Sequence, residues 1–194
     1  MERARILRLV AVRFLCCIVC WSASSAQQAK VALDWNAELA KAKAAIEKNP
    51  KSAFWHNQAG VAYDALGDFE NGVKEIKLAC TLDESNPNNY YTLYALYKRK
   101  AMHSDQRQAV LDALERDPNN PVGRSEFAYI LEDEKHWSDS IREYEMAKRL
   151  VASVTGPKYV DARGNVYEVD GVRNQVDEAI KRVRDLSESA KHPQ

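Results

Sequence analysis

Residues 53–86 read AFWHNQAGVAYDALGDFENGVKEIKLACTLDESN, and the fold turns on this stretch because it recurs. A step of 34 residues, taken without a gap, carries Ala53 to Pro87 and then to Pro121, which marks three units at 53–86, 87–120 and 121–154. Ala79, Ala113 and Ala147 fall in one column, and Ile76, Val110 and Tyr144 fall three places before it. Tyr63, Tyr97 and Leu131 align in the first half of the unit, as do Ala59, Leu93 and Phe127, and Gly60, Tyr94 and Ala128. One period back, Trp35, Ala42, Ala45, Ile46 and Pro50 repeat the second half, so residues 27–52 hold a half unit with one helix. A fixed period of this size is the mark of a stacked array in which each unit covers its neighbour's apolar face.

Within a unit the spacing is helical. Ala59, Ala62, Tyr63 and Leu66 recur at intervals of three and four, and Phe69, Val73, Ile76, Ala79 and Cys80 do so again. Gly67 and Asp68 lie between the two runs, a helix-ending residue followed by a helix-starting one. Each unit is therefore a pair of antiparallel helices of about 13 residues. Pro87, Pro118 and Pro121 punctuate the joins, where a missing N–H costs least.

Gly60-Val61-Ala62-Tyr63, Leu66-Gly67-Asp68-Phe69-Glu70, Ala79-Cys80 and Leu82-Asp83 make the first unit similar to the tetratricopeptide repeat family. The second unit keeps Tyr90, Leu93, Tyr97, Ala113-Leu114 and Asp117-Pro118-Asn119-Asn120. The third keeps Phe127-Ala128, Leu131, Trp137, Ile141, Tyr144 and Ala147. The resemblance covers residues 34–151 and implies an all-α fold, a right-handed α-solenoid of antiparallel helix pairs. Two departures stand out. His103 replaces the bulky aromatic at the inter-helix turn of the second unit, and Gln106 and Glu38 stand where a small residue normally lets the paired helices approach. Looser packing is expected at those two places than at Gly72 and Ser140.

After Val151 the helical pattern stops. Lys158-Tyr159-Val160-Asp161 and Val166-Tyr167-Glu168-Val169 flank Ala162-Arg163-Gly164-Asn165, which reads as a short β-hairpin within 155–194. Asp170 then caps a helix with Val172, Val176, Ala179, Ile180, Val183 and Leu186 on its apolar face. Arg173, Asp177, Lys181 and Arg184 give it the polar outer face that the end of a solenoid requires, and residues 187–194 are expected to fray.

The opening of the chain has a different character. Arg3, Arg5 and Arg8 precede an apolar run from Phe14 to Trp21, which closes on Ser22-Ala23-Ser24-Ser25-Ala26. This is the form of a secretory signal peptide over residues 1–26. Arg13 leaves the run too short for the roughly 20 apolar residues of a membrane span. The expected location is exported, periplasmic or secreted, with a membrane tether only where the leader stays uncleaved. The sequence balances 28 basic against 28 acidic side chains. Cleavage after Ala26 removes four arginines and Glu2 and leaves a mildly acidic chain, net −3, which argues against nucleic acid as a partner. Cys16, Cys17 and Cys20 depart with the leader, so the remaining Cys80 has no internal disulfide partner.

No constellation points to catalysis. His56, His103, His136 and His192 share no ligand spacing, and Gly-rich phosphate loops, Gly-x-Ser-x-Gly and His-Glu-x-x-His are missing from the sequence. No catalytic residue, metal or cofactor is expected, and Cys80, inward beside Ala79, reads as a small buried hydrophobe. The resemblance instead implies a concave groove lined by the first helices. In this sequence its columns hold Phe54, Asn57, Gln58, Val61 and Asp64, then Asn88, Tyr91, Thr92, Ala95, Lys98 and Arg99, then Val122, Ser125, Glu126, Tyr129 and Glu132. Asn57, Tyr91, Lys98, Glu126 and Tyr129 are the candidate peptide-binding residues: tyrosines to bury a partner, amide and charge to orient it. The lysine–asparagine clamp of the family's chaperone-tail binders is missing, because Asn57 and Val61 stand in its first-repeat positions and Val122 and Glu126 in the third. The expected function is a non-catalytic scaffold for a protein or peptide partner. The rival is a structural or self-associating subunit of an envelope assembly that works through its outer helical faces.

Overall fold

Helices begin where the period demands. In the computed structural model, which describes residues 33–160 and 166–191, the first helices of the three units are α2 (Ala53–Ala65), α4 (Pro87–Arg99) and α6 (Pro121–Asp133). Their second helices are α3 (Phe69–Leu82), α5 (His103–Arg116) and α7 (Trp137–Ala152). The lone helix α1 (Trp35–Lys48) precedes them, and the strands β1 (Lys158–Val160) and β2 (Val166–Glu168) lead into α8 (Val169–Lys191). The leader and the hairpin tip at 161–165 lie outside the described residues. No helix among the described residues is long and apolar enough to cross a membrane.

The ends of the helices repeat as faithfully as their faces. Asn86 and Asn120 cap α4 and α6 through their side chains, on Asn88 N–H and Gly123 N–H, and Pro follows each at the first helical position. The amide of each cap also donates to an aspartate three residues earlier, Asn86 to Asp83 at 3.2 Å and Asn120 to Asp117 at 3.0 Å. Between paired helices, Gly67, Ala101 and Lys135 all take positive φ, 88°, 51° and 61°. The N–H after each of them bonds back across the turn, Asp68 to Tyr63 O, Met102 to Tyr97 O and His136 to Leu131 O. The same helix-ending motif is thus built three times, with its usual glycine only once.

Packing inside a unit depends on the column that holds Gly60, Tyr94 and Ala128 and its facing column Gly72, Gln106 and Ser140. A Cβ on Gly60 would lie 2.8 Å from the Gly72 carbonyl oxygen, so α2 and α3 cross backbone to backbone. Ser140 is buried and donates to Ala128 O at 2.8 Å, which closes the third crossing. In the second unit Gln106 is buried rather than displaced, with its side chain beside the Tyr94 hydroxyl. A polar pair thus fills the crossing where the other units use small residues. Ile76, Leu96, Val110 and Ala113 build one core around it, and Val151, Val176, Ala179 and Val183 a second.

The end of the chain departs from the period but not from the architecture. β1 and β2 pair antiparallel with Tyr159 opposite Tyr167, and both rings pack on the second core. α8 buries Val172, Val176, Ala179, Ile180 and Val183 against α7, where a further first helix would sit. It starts at Val169, one residue before Asp170, which pairs with Arg173 at 2.6 Å in the first turn. Nor does it fray at residue 187. Helix continues to Lys191, braced by the Ser189 hydroxyl on Asp185 O and by Lys191 on Glu188.

Candidate functional site

Asn57, Tyr91, Lys98, Glu126 and Tyr129 all lie on first helices, which line the concave side of this fold, but only three of them are brought together. Lys98, near the end of α4, reaches across to α6 and donates to Glu126 Oε2 at 2.6 Å. The Tyr94 hydroxyl, one turn earlier, donates to the same oxygen. The ammonium also lies 5.4 Å from the Tyr94 ring centre and 5.6 Å from that of Tyr129, within cation–π range of both. Tyr129 is 49% exposed and forms the open wall of the cluster.

The chemistry of the cluster is that of a fixed acceptor and a half-free donor. Glu126 takes hydrogens from a phenol and an ammonium. Buried Gln106 lies beside the Tyr94 hydroxyl, and two hydrogen bonds converge on Glu126 at the edge of the core. Burial, with the Glu126 carboxylate beside it, pushes the Tyr94 phenol far above its ordinary range, so it stays a donor.

Asn57 and Tyr91 serve the joints between units. The Asn57 amide donates to Asn89 Oδ1 at 3.0 Å, and buried Asn89 donates in turn to Ala79 O at 3.1 Å. Tyr91 is 4% exposed, and its ring tip sits where a Cβ on Gly123 would be, 2.1 Å from the hydroxyl oxygen. Only a glycine in the next unit admits it. Tyr91 therefore forms the floor of a small 140 Å³ recess with Tyr94, Val122 and Gly123, rather than a wall that a partner could wrap.

A larger concave cavity of 550 Å³ opens beside the cluster. Lys98, Val122, Glu126 and Tyr129 line it from the repeats, and Val176 and Arg182 from α8. Arg182 closes its far end with two bonds of 2.8 Å from Nε and Nη2 to the two oxygens of Glu132, which the Tyr144 hydroxyl also meets at 3.3 Å. These bonds raise the Arg182 pKa, and burial followed by Glu132 raises that of Tyr144. The volume lies in the range of pockets that take a ligand or an anchoring side chain. α8 escaped the sequence reading of the groove because the hairpin shifts it out of the 34-residue register. The anomaly that could have been noticed is Tyr94, a bulky residue in a glycine–alanine column.

The remaining candidates are structural. His56 is buried, with Nδ1 2.6 Å from Glu75 Oε2 and Nε2 3.0 Å from the Pro50 carbonyl, and it ties α2 to α3 and to the preceding turn. Cys80 is buried, and its thiol is pushed up to about 11 by loss of solvent, which holds it protonated and unreactive. Among the described residues, no three His, Cys, Asp or Glu side chains are grouped to hold a metal ion.

Helix pairs at a constant step, a concave face of first helices and a capping helix define the tetratricopeptide-repeat fold. Solved structures agree. The chain matches the crystal structure of MamA with TM-score 0.54 at 16% identity, over 82% of this chain and 92% of that one. It matches the TPR2B domain of yeast Sti1, solved in a complex with pHsp70, with TM-score 0.54 at 16% identity over 69% and 97% of the two chains. The type III secretion chaperone SycD of Yersinia enterocolitica, solved with a peptide of the translocator YopD, gives TM-score 0.55 at 13% identity over 66% and 89%. No family model matches the chain, and no curated protein matches it in sequence.

Proposed function

We propose that this protein is a non-catalytic interaction scaffold that binds a peptide or helix of a partner protein in its concave groove, in an exported compartment reached through the leader at residues 1–26. One observation carries the reading. Lys98, Glu126 and Tyr129 converge beside an open cavity of 550 Å³, on the face that the fold leaves uncovered. The Sti1 domain and SycD, which share the fold, were each solved with a partner or peptide, and this supports the groove as the working surface. The leader supports export.

The test is recovery of partners from the exported fraction with wild-type bait and with Tyr129→Ala. Tyr129 is the right residue to remove because it is half exposed and outside both cores, whereas Tyr91→Ala would open a cavity in the joint between units. Loss of the partner with an unchanged circular dichroism spectrum is the expected result. Equal recovery by both baits removes the groove from the account. N-terminal sequencing of the exported chain tests the compartment, and a chain that begins at or near Gln27 is expected.

A further inference from the structure

We infer that the cavity between α6 and α8 selects an acidic partner segment, one that presents carboxylates together with an apolar side chain; this deepens the groove reading and rests on it. Two acids in and beside the cavity are already paired. Glu126 is held by Tyr94 and Lys98, and Glu132 by Arg182 and Tyr144. The Glu132 side chain is only 12% exposed. The two cations that hold these acids are the exposed members, Lys98 at 44% and Arg182 at 50%. An ammonium carries three N–H donors and a guanidinium five, more than one carboxylate apiece takes up. The cavity therefore offers a partner positive charge with donor capacity in reserve, and each carboxylate is less exposed than its cation, Glu126 at 31% and Glu132 at 12%. Glu126 and Glu132 are six residues apart on α6, a rise of about 9 Å along the helix axis. Val122, Val172, Val176 and Ala179 add apolar surface to the same lining.

Glu178 is the counterweight, an exposed acid on the same rim. It repels an acidic partner and would attract a basic one, so its removal reads out the sign of the ligand. A random peptide library displayed on phage, selected on the chain from Gln27 onward, supplies the probe. Enriched peptides are expected to carry Asp or Glu together with Leu, Phe or Trp. A synthetic copy of the best one should bind about fivefold more weakly to Lys98→Met, the effect of one half-exposed charge pair. It should bind more tightly to Glu178→Gln, and more weakly to every variant as salt rises. Basic or uncharged peptides that lose binding to Tyr129→Ala but ignore Lys98→Met would overturn the acidic preference and leave the groove standing. Enriched peptides indifferent to both substitutions, or no enrichment at all, would overturn the groove reading itself. Circular dichroism of each variant separates lost binding from lost fold, and Glu178→Gln, an exposed neutral swap, needs no core contact to survive.

Discussion

Gly67, Ala101 and Lys135 occupy one position of the repeat, and substitutions there measure the cost of the turn three times within one molecule. Their φ angles of 88°, 51° and 61° lie in the left-handed region, where a side chain costs roughly 1–2 kcal/mol relative to glycine. A Cβ on Gly67 meets nothing within 4 Å, so Gly67→Ala alters the backbone preference without a clash. It should destabilise the chain by about 1 kcal/mol, after credit for the reduced freedom of the unfolded state. Lys135→Gly and Ala101→Gly should each stabilise by about 0.5–1 kcal/mol for the same reason in reverse. In a chain of this length 1 kcal/mol corresponds to about 2–4 °C in Tm. The assay is thermal unfolding followed by circular dichroism at 222 nm, the helical band, with urea midpoints as a second measure of the order. The predicted order of Tm is Lys135→Gly above wild type above Gly67→Ala. A neutral Gly67→Ala together with a destabilising Lys135→Gly would refute the claim that the three turns are equivalent and strained in two of their copies.

Gly60→Ala should destabilise by about 1–3 kcal/mol although alanine is the better helix former, because its Cβ would lie 2.4 Å from Ile76 Cγ1 and 2.8 Å from a backbone oxygen; a melting curve checks it. Met102→Asp should stabilise by about 1 kcal/mol, since α5 lacks the side-chain cap that Asp68 gives α3, and the same melt shows it as a rise in Tm. The Cys80 thiol, raised to about 11 when folded, should react with iodoacetamide at pH 8 far more slowly in the native chain than in urea. Its proton leaves the unfolded chain first, as do those of the raised Tyr94 and Tyr144 phenols. Stability should therefore fall as pH climbs from 9.0 toward 11, which a urea midpoint measured against pH would show.

What could be read in advance follows from where each interaction lives. The helix pairs were legible because Ala79, Ala113 and Ala147 repeat a local pattern with a constant step, and a stacked array makes core positions periodic in sequence. The cluster of Lys98, Glu126 and Tyr129 was legible for the same reason, since a column number fixes which side of the solenoid a residue faces. Tyr91 was not. Its burial depends on Gly123 of the next unit, a pairing between columns that differs at every step of the array. Asn57 faces the groove side, but its amide is engaged by Asn89, a partner that occurs in no other unit. The strained turns at Ala101 and Lys135 were hidden because the residues there are not the glycine that signals them. Arg182 entered the site through α8 and Tyr167 through β2, elements placed by the hairpin and the second core rather than by the repeat.

The most direct test of the groove is site-specific photo-crosslinking in the producing cell. A benzoylphenylalanine replaces Tyr129 on the concave face in one strain and Leu78, exposed on a second helix, in another. A discrete adduct from position 129 and none from position 78 is the predicted result. Adducts at Leu78 with position 129 silent would contradict the account and move the working surface to the outer helices.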